Sequence, residues 1–159
     1  EVYGFDMSNV RSVALKEPIV DPINPEQMIS EPAVVWELDI TKAKMGDLDF
    51  KTRAPLLFTQ RNYCYGFTAF FLLDFTRCGR STILSTDPRD MQTHWKQLVF
   101  YFKEPVAVEP GQLLDLGLDF TFPLNKDEKK RHMRVKANAA IELPTGKQLS
   151  WDEDYTYRW

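Results

Sequence analysis

Three residues able to do chemistry stand side by side: Thr93, His94 and Trp95, a hydroxyl, an imidazole and an indole. They close a polar loop, Ser85-Thr86-Asp87-Pro88-Arg89-Asp90-Met91-Gln92, and after Lys96-Gln97 an apolar run at 98–102 begins. His94 is one of two histidines in the chain. Neither sits beside a nucleophile in a base-activated pair, which argues against an independent hydrolase. No cluster at metal-ligand spacing surrounds them. Two readings fit: an imidazole and an indole presented together where a loop meets a strand, or Trp95 filling a core beside a solvated His94.

The elements that must position this trio are mostly strands. The good helical stretch is residues 5–16, where Asp6 or Ser8 can cap and Met7, Val10, Val13 and Ala14 share one face. Pro18 ends it, because the residue before a proline leaves the helical region. So short a helix needs its apolar face covered. Pro18, just before it, and Pro22, Pro25 and Pro32 within it punctuate the stretch 19–32, predicting extended connections and one turn capped by Asn24.

Strands are predicted at 33–40, 56–59, 63–77, 81–84, 99–102, 106–108, 113–122, 133–142 and 149–157. The 63–77 run is nearly continuous in apolar and aromatic residues, the pattern of a strand buried on both faces. Turns are expected at Glu109-Pro110-Gly111, Asn125-Lys126-Asp127 and Pro144-Thr145-Gly146. Residues 126–131 read as a solvated hairpin tip. Residues 151–159 read as an edge strand whose Asp152, Glu153 and Asp154 discourage further pairing. Short strands without alternating helices predict a mainly β, antiparallel sandwich or barrel.

The 159 residues suit one domain, able to bury about 70% of its unfolded surface. With 43% hydrophobic and 13% aromatic residues, the chain has the makings of a packed core. A net charge of −3 argues weakly against nucleic acid and permits a basic peptide partner. Cys64 and Cys78 make no disulfide framework, which favours a reducing compartment, cytoplasmic or nuclear. No signal peptide and no run of about 18 apolar residues is present, so no membrane association is expected. The chain opens on Glu1-Val2-Tyr3-Gly4 rather than Met, as a fragment would.

Asp74-Phe75-Thr76-Arg77-Cys78, Ser85-Thr86-Asp87-Pro88 and Thr93-His94-Trp95-Lys96-Gln97, in that order, resemble the C-terminal half of protein arginine methyltransferases. Tyr3-Gly4-Phe5-Asp6-Met7-Ser8 and Lys16-Glu17-Pro18 fit the same family in register, to about Gly111 and more loosely beyond. The loop departs from the family pattern at Asp87, Met91 and Gln92.

The resemblance implies a dimerisation arm at 1–16, with Tyr3, Phe5 and Met7 docking on a second subunit's cofactor domain, and a C-terminal β-barrel at 17–159. It implies catalytic positions at His94 and Trp95 and substrate-binding positions at Thr93 and Trp95. His94 would pair with an acidic residue of the cofactor domain, and Trp95 would bound the channel for the guanidinium. An indole face suits a planar cation. A histidine–carboxylate pair would hold two domains at the distance that positioning needs.

The intact enzyme would use S-adenosylmethionine, methylate arginine-containing proteins and form a homodimer. The seven glycines here form no G-x-G turn after a strand, and Glu1 lies too close to the Tyr-Gly-Phe motif to be one of the family's paired glutamates. The chain alone is therefore expected to bind no cofactor and to be inactive. The alternative is a non-enzymatic β-sandwich that binds peptides or organises a complex.

Overall fold

The computed structural model of the chain describes residues 3–75, 79–80, 82–122 and 132–158. Its order is a helix α1 (Ser8–Ala14), then strands β1 (Ile19–Asp21), β2 (Phe50–Leu57), β3 (Asn62–Ala69), β4 (Leu72–Asp74), β5 (Ile83–Ser85), β6 (Gln97–Val108), β7 (Leu113–Thr121), β8 (His132–Glu142) and β9 (Gln148–Arg158). All pairs are antiparallel. They form a three-stranded sheet β1-β6-β3, a four-stranded sheet β2-β7-β8-β9 and a two-stranded ribbon β4-β5. The expected mainly β architecture is present, and the sheets do not close into a barrel.

The four-stranded sheet follows from period-two patterning. Leu114, Leu116, Leu118 and Phe120 of β7 and Met133, Val135, Ala137, Ala139 and Ile141 of β8 are buried on one face. The other face carries polar cross-strand pairs: Lys51 with Asp119 at 2.8 Å, Arg53 with Asp115, and Asn138 donating to Asp152 at 2.7 Å. Full burial of each large apolar side chain contributes about 1.5–3 kcal/mol, so this face is the main source of stability.

The two larger sheets meet through aromatics. Phe100, fully buried, stacks on Phe67 at 4.6 Å and takes the edge of Tyr155 at 5.1 Å. The Tyr155 hydroxyl donates to the Tyr101 carbonyl at 3.0 Å, and burial pushes its phenol pKa up. Trp151 sets its edge against Phe102 at 5.1 Å.

Several expectations are corrected. The helix is shorter than 5–16 and buries none of its residues. Asp6 accepts from Ser8 N at 2.9 Å, but Met7 holds the N-cap position without a side-chain bond. The helix is tied down by Arg11, which donates to Glu104 at 3.0 Å and to the Lys103 carbonyl at 2.6 Å. Residues 19–21 form β1, and the turn after them is the expected one: Asn24 accepts from Glu26 N, and Gln27 accepts from Asn24 N.

Residues 33–40 form no strand. Ala33 and Val35 pack on the core while Val34 and Ile40 face solvent, so the alternation is present without a partner strand. Strand β2 begins earlier than 56 and tolerates Pro55 because it lies at a sheet edge.

The run at 63–77 is not one strand buried on both faces. It breaks between β3 and β4, and Tyr63, Tyr65, Leu72 and Phe75 are exposed because none of the described residues covers their side. The segments 99–102 and 106–108 are one strand, β6, continuous through Pro105. There the β3 register jumps from Cys64–Val106 to Gly66–Tyr101, and β1 pairs only with 97–99. No neighbour therefore asks Pro105 for a ladder hydrogen bond. The terminal strand β9 is an edge, as expected. The turn at 125–127, the charged run at 126–131 and Cys78 lie outside the described residues.

Candidate functional site

Strand β5 ends at Ser85 and β6 begins at Gln97, so the loop 86–96 is anchored at both ends by strands of different sheets. At its two roots stand the buried polar side chains of the described residues, Thr86 (2% exposed) and Gln97 (7%). Gln97 Nε2 donates to the Thr86 carbonyl at 2.8 Å, while its Oε1 accepts from Ile23 N at 2.9 Å. Thr86 Oγ1 donates to the Phe71 carbonyl at 2.9 Å and accepts from Phe71 N at 3.0 Å. Both side chains thus satisfy backbone groups that burial cuts off from water.

Within the loop, Asp87 accepts from Arg89 Nε at 2.9 Å and from Arg89 Nη2 at 2.5 Å. That guanidinium holds the Asp87 carboxyl below the usual carboxylate range, against a smaller opposing effect of burial. Thr93 Oγ1 donates to the Trp95 carbonyl at 3.0 Å, a tie inside the loop. The His94 ring lies 4.1 Å from the Trp95 ring at an interplanar angle of 32°. Among the described residues no acidic group pairs with His94. Phe71 meets Trp95 edge-on at 6.3 Å. Trp95 is 46% exposed and His94 is exposed, so neither fills the core.

An open cleft of about 420 Å³ separates this loop from the turn at 22–25; Pro22, Pro25, Asp87, Asp90, Thr93 and Gln97 are among its walls. Of the trio, Thr93 lines it, whereas His94 and Trp95 stand outside. The arm residues are set apart as a solvent-facing group: Tyr3 is 97% exposed, Phe5 70% and Met7 48%.

Sequence reasoning attached no role to Gln97, Thr86 or Phe71. Gln97 and Thr86 flank the loop in the motifs quoted above, but a polar residue's burial is set by tertiary contacts and leaves no periodic trace. Burial raises the Cys64 thiol pKa, a group bonded to the Gly66 carbonyl at 3.3 Å. No group of three metal-capable side chains occurs among the described residues, and none of their helices is long and apolar enough to cross a membrane.

Residues 1–140 match the family model described as the arginine methyltransferase oligomerization subdomain. Protein arginine N-methyltransferase 8-B of Danio rerio is 36% identical over 136 residues, 78% of this chain and 32% of that protein. Protein arginine N-methyltransferase 1 of Caenorhabditis elegans is 36% identical over 129 residues, 81% of this chain and 36% of that protein. The chain therefore spans about a third of the length of these curated relatives. Among solved structures, the Trypanosoma brucei PRMT1 enzyme–prozyme heterotetrameric complex with AdoHcy superposes with a TM-score of 0.89 at 25% identity, over 99% of this chain and 49% of that one. Protein arginine methyltransferase 10 of Arabidopsis thaliana gives 0.81 at 23% identity and shares the fold. With family model, relatives and fold in agreement, the chain belongs to the protein arginine methyltransferase family and corresponds to its oligomerization subdomain.

Proposed function

We propose that this domain supplies one wall of the arginine site in an S-adenosylmethionine-dependent methyltransferase, and part of the arm through which subunits assemble. The observation that carries the reading is the exposure of Trp95 and His94. The indole is 46% exposed and lies tilted against the His94 imidazole, for which no acidic partner occurs among the described residues; an exposed ring pair of this kind suits a wall whose facing half lies in another domain.

Trp95 presents a π face to a planar cation and so orients the guanidinium. His94 awaits a carboxylate from the facing domain, and that pair would fix the wall's distance from the donor. Thr93 holds the Trp95 carbonyl, so its part is to shape the loop.

The residues present do not fit the cofactor itself. Gly79, Gly111 and Gly146 sit at positive φ outside helices, Gly66 and Gly117 lie within strands, and α1 follows no strand. None of this makes the strand-to-helix phosphate or nucleoside cradle of a dinucleotide fold. S-adenosylmethionine would be held by a cofactor domain. Tyr3, Phe5 and Met7 would dock on a second subunit, a reading their exposure supports.

Methylation kinetics in an enzyme carrying this domain test the proposal. Trp95→Ala is expected to lower turnover of an arginine peptide at least about 10-fold, which needs only about 1.4 kcal/mol of lost transition-state positioning. The 159-residue chain alone is expected to give none. A folded Trp95→Ala enzyme with normal turnover would sink the reading. A second reading is favoured by one observation: the T. brucei neighbour is an enzyme–prozyme complex. The domain would then belong to a partner subunit that organises a catalytic one, and its enzyme would be inactive until mixed with that partner.

A further inference from the structure

We infer that Gln97 and Thr86 are the positioning residues of the Thr93-His94-Trp95 loop, a buried polar clasp that holds Trp95 in place without touching substrate. This inference rests on the reading that Trp95 and His94 border the arginine site.

The clasp is a closed chain of contacts. The Gln97 amide can be oriented in one way only: Ile23 N requires the oxygen, and the Thr86 carbonyl requires the NH2. One side chain thereby ties three segments together, the stretch after β1, the end of β5 and the start of β6. Thr86 passes the constraint onward. Its hydroxyl both donates to and accepts from Phe71, and its own N–H donates to the Phe71 carbonyl at 3.0 Å. Phe71 in turn sets its ring edge against Trp95, and Trp95 lies tilted against His94.

The loop itself is short of other anchors to the core. Arg89 and Asp87 bond mainly to each other, and Thr93 bonds within the loop. Arg89 reaches beyond the loop only to Glu31, at 3.8 Å on the surface, where an ion pair contributes little. The two side chains buried at the roots are therefore the groups able to fix its geometry. Exposure of Trp95 makes such a clasp necessary, because an indole that is not packed in a core needs its pose set from below.

The test labels the four tryptophans with 5-fluorotryptophan, assigns the Trp95 signal with Trp95→Phe, and follows fluorine NMR of the chain. Gln97→Glu keeps the acceptor for Ile23 N but cannot, as a carboxylate, donate to Thr86. Thr86→Val keeps the shape and removes the two hydroxyl bonds to Phe71, with less risk to folding. In each variant that folds, the Trp95 resonance should shift and broaden while those of Trp36 and Trp151 stay put. In the enzyme, kcat should fall at least about 10-fold with the donor KM unchanged, the signature of lost positioning. An unmoved Trp95 resonance in a folded variant overturns the inference. A moved resonance with unchanged kcat upholds the clasp and removes instead the reading of Trp95 as a catalytic wall.

Discussion

At the scale of single residues, exposure separates two kinds of aromatic in this domain. Phe100 is wholly buried between the sheets, and Phe100→Ala is expected to cost about 3–5 kcal/mol through lost contacts and the cavity left behind. Trp95, though larger, should behave as a surface residue, with Trp95→Ala costing about 1 kcal/mol or less. Denaturant melts of the two variants side by side measure the contrast, and equal losses would mean that Trp95 is packing after all. Composition and spacing left both fates open for Trp95, because an indole beside a histidine reads the same whether it points inward or outward. Its surroundings decide, and they come from Phe71, distant in sequence and placed by the Thr86 hydroxyl.

At the scale of elements, the strands follow the local pattern where that pattern is sufficient. Strands β7 and β8 were legible because every second residue is apolar over nine and eleven positions, and register then follows from the buried face. The segment 33–40 has similar residues but no neighbour to pair with, and pairing cannot be read from one segment alone. Likewise the unbroken β6 was hidden by Pro105, harmless only because the partner register breaks there. At that break stands Gly66, where an added Cβ would lie 1.9 Å from the Phe100 carbonyl oxygen. Gly66→Ala must move backbone rather than a side chain, so a loss of at least about 3 kcal/mol is expected, read as a drop in the urea midpoint. A stability within about 0.5 kcal/mol of the parent, the range of neutral surface changes, would show that the strands can part freely there.

At the scale of the whole molecule, the domain has a self-sufficient core and unfinished edges. The four-stranded sheet buries one face and solvates the other, whereas α1, the Tyr3-Phe5-Met7 group and the Trp95 loop leave apolar surface facing outward. The sequence pattern pointed to a helix with an apolar face; that no element among the described residues covers it was legible only through the family resemblance. If the arm's docking surface lies on a cofactor domain, this chain in solution should be mostly monomeric by light scattering. A tight dimer abolished by Phe5→Ala would place the arm's partner surface inside this domain. The claim that joins these scales is that Trp95 and His94 face the target arginine. It is tested most directly by photo-crosslinking, with a diazirine residue placed beside the arginine of a substrate peptide and S-adenosylhomocysteine bound to the enzyme. Mass-spectrometric mapping should find adducts within this domain at residues 93–95; adducts confined to other surfaces of the domain, with 93–95 unmodified, would contradict the account.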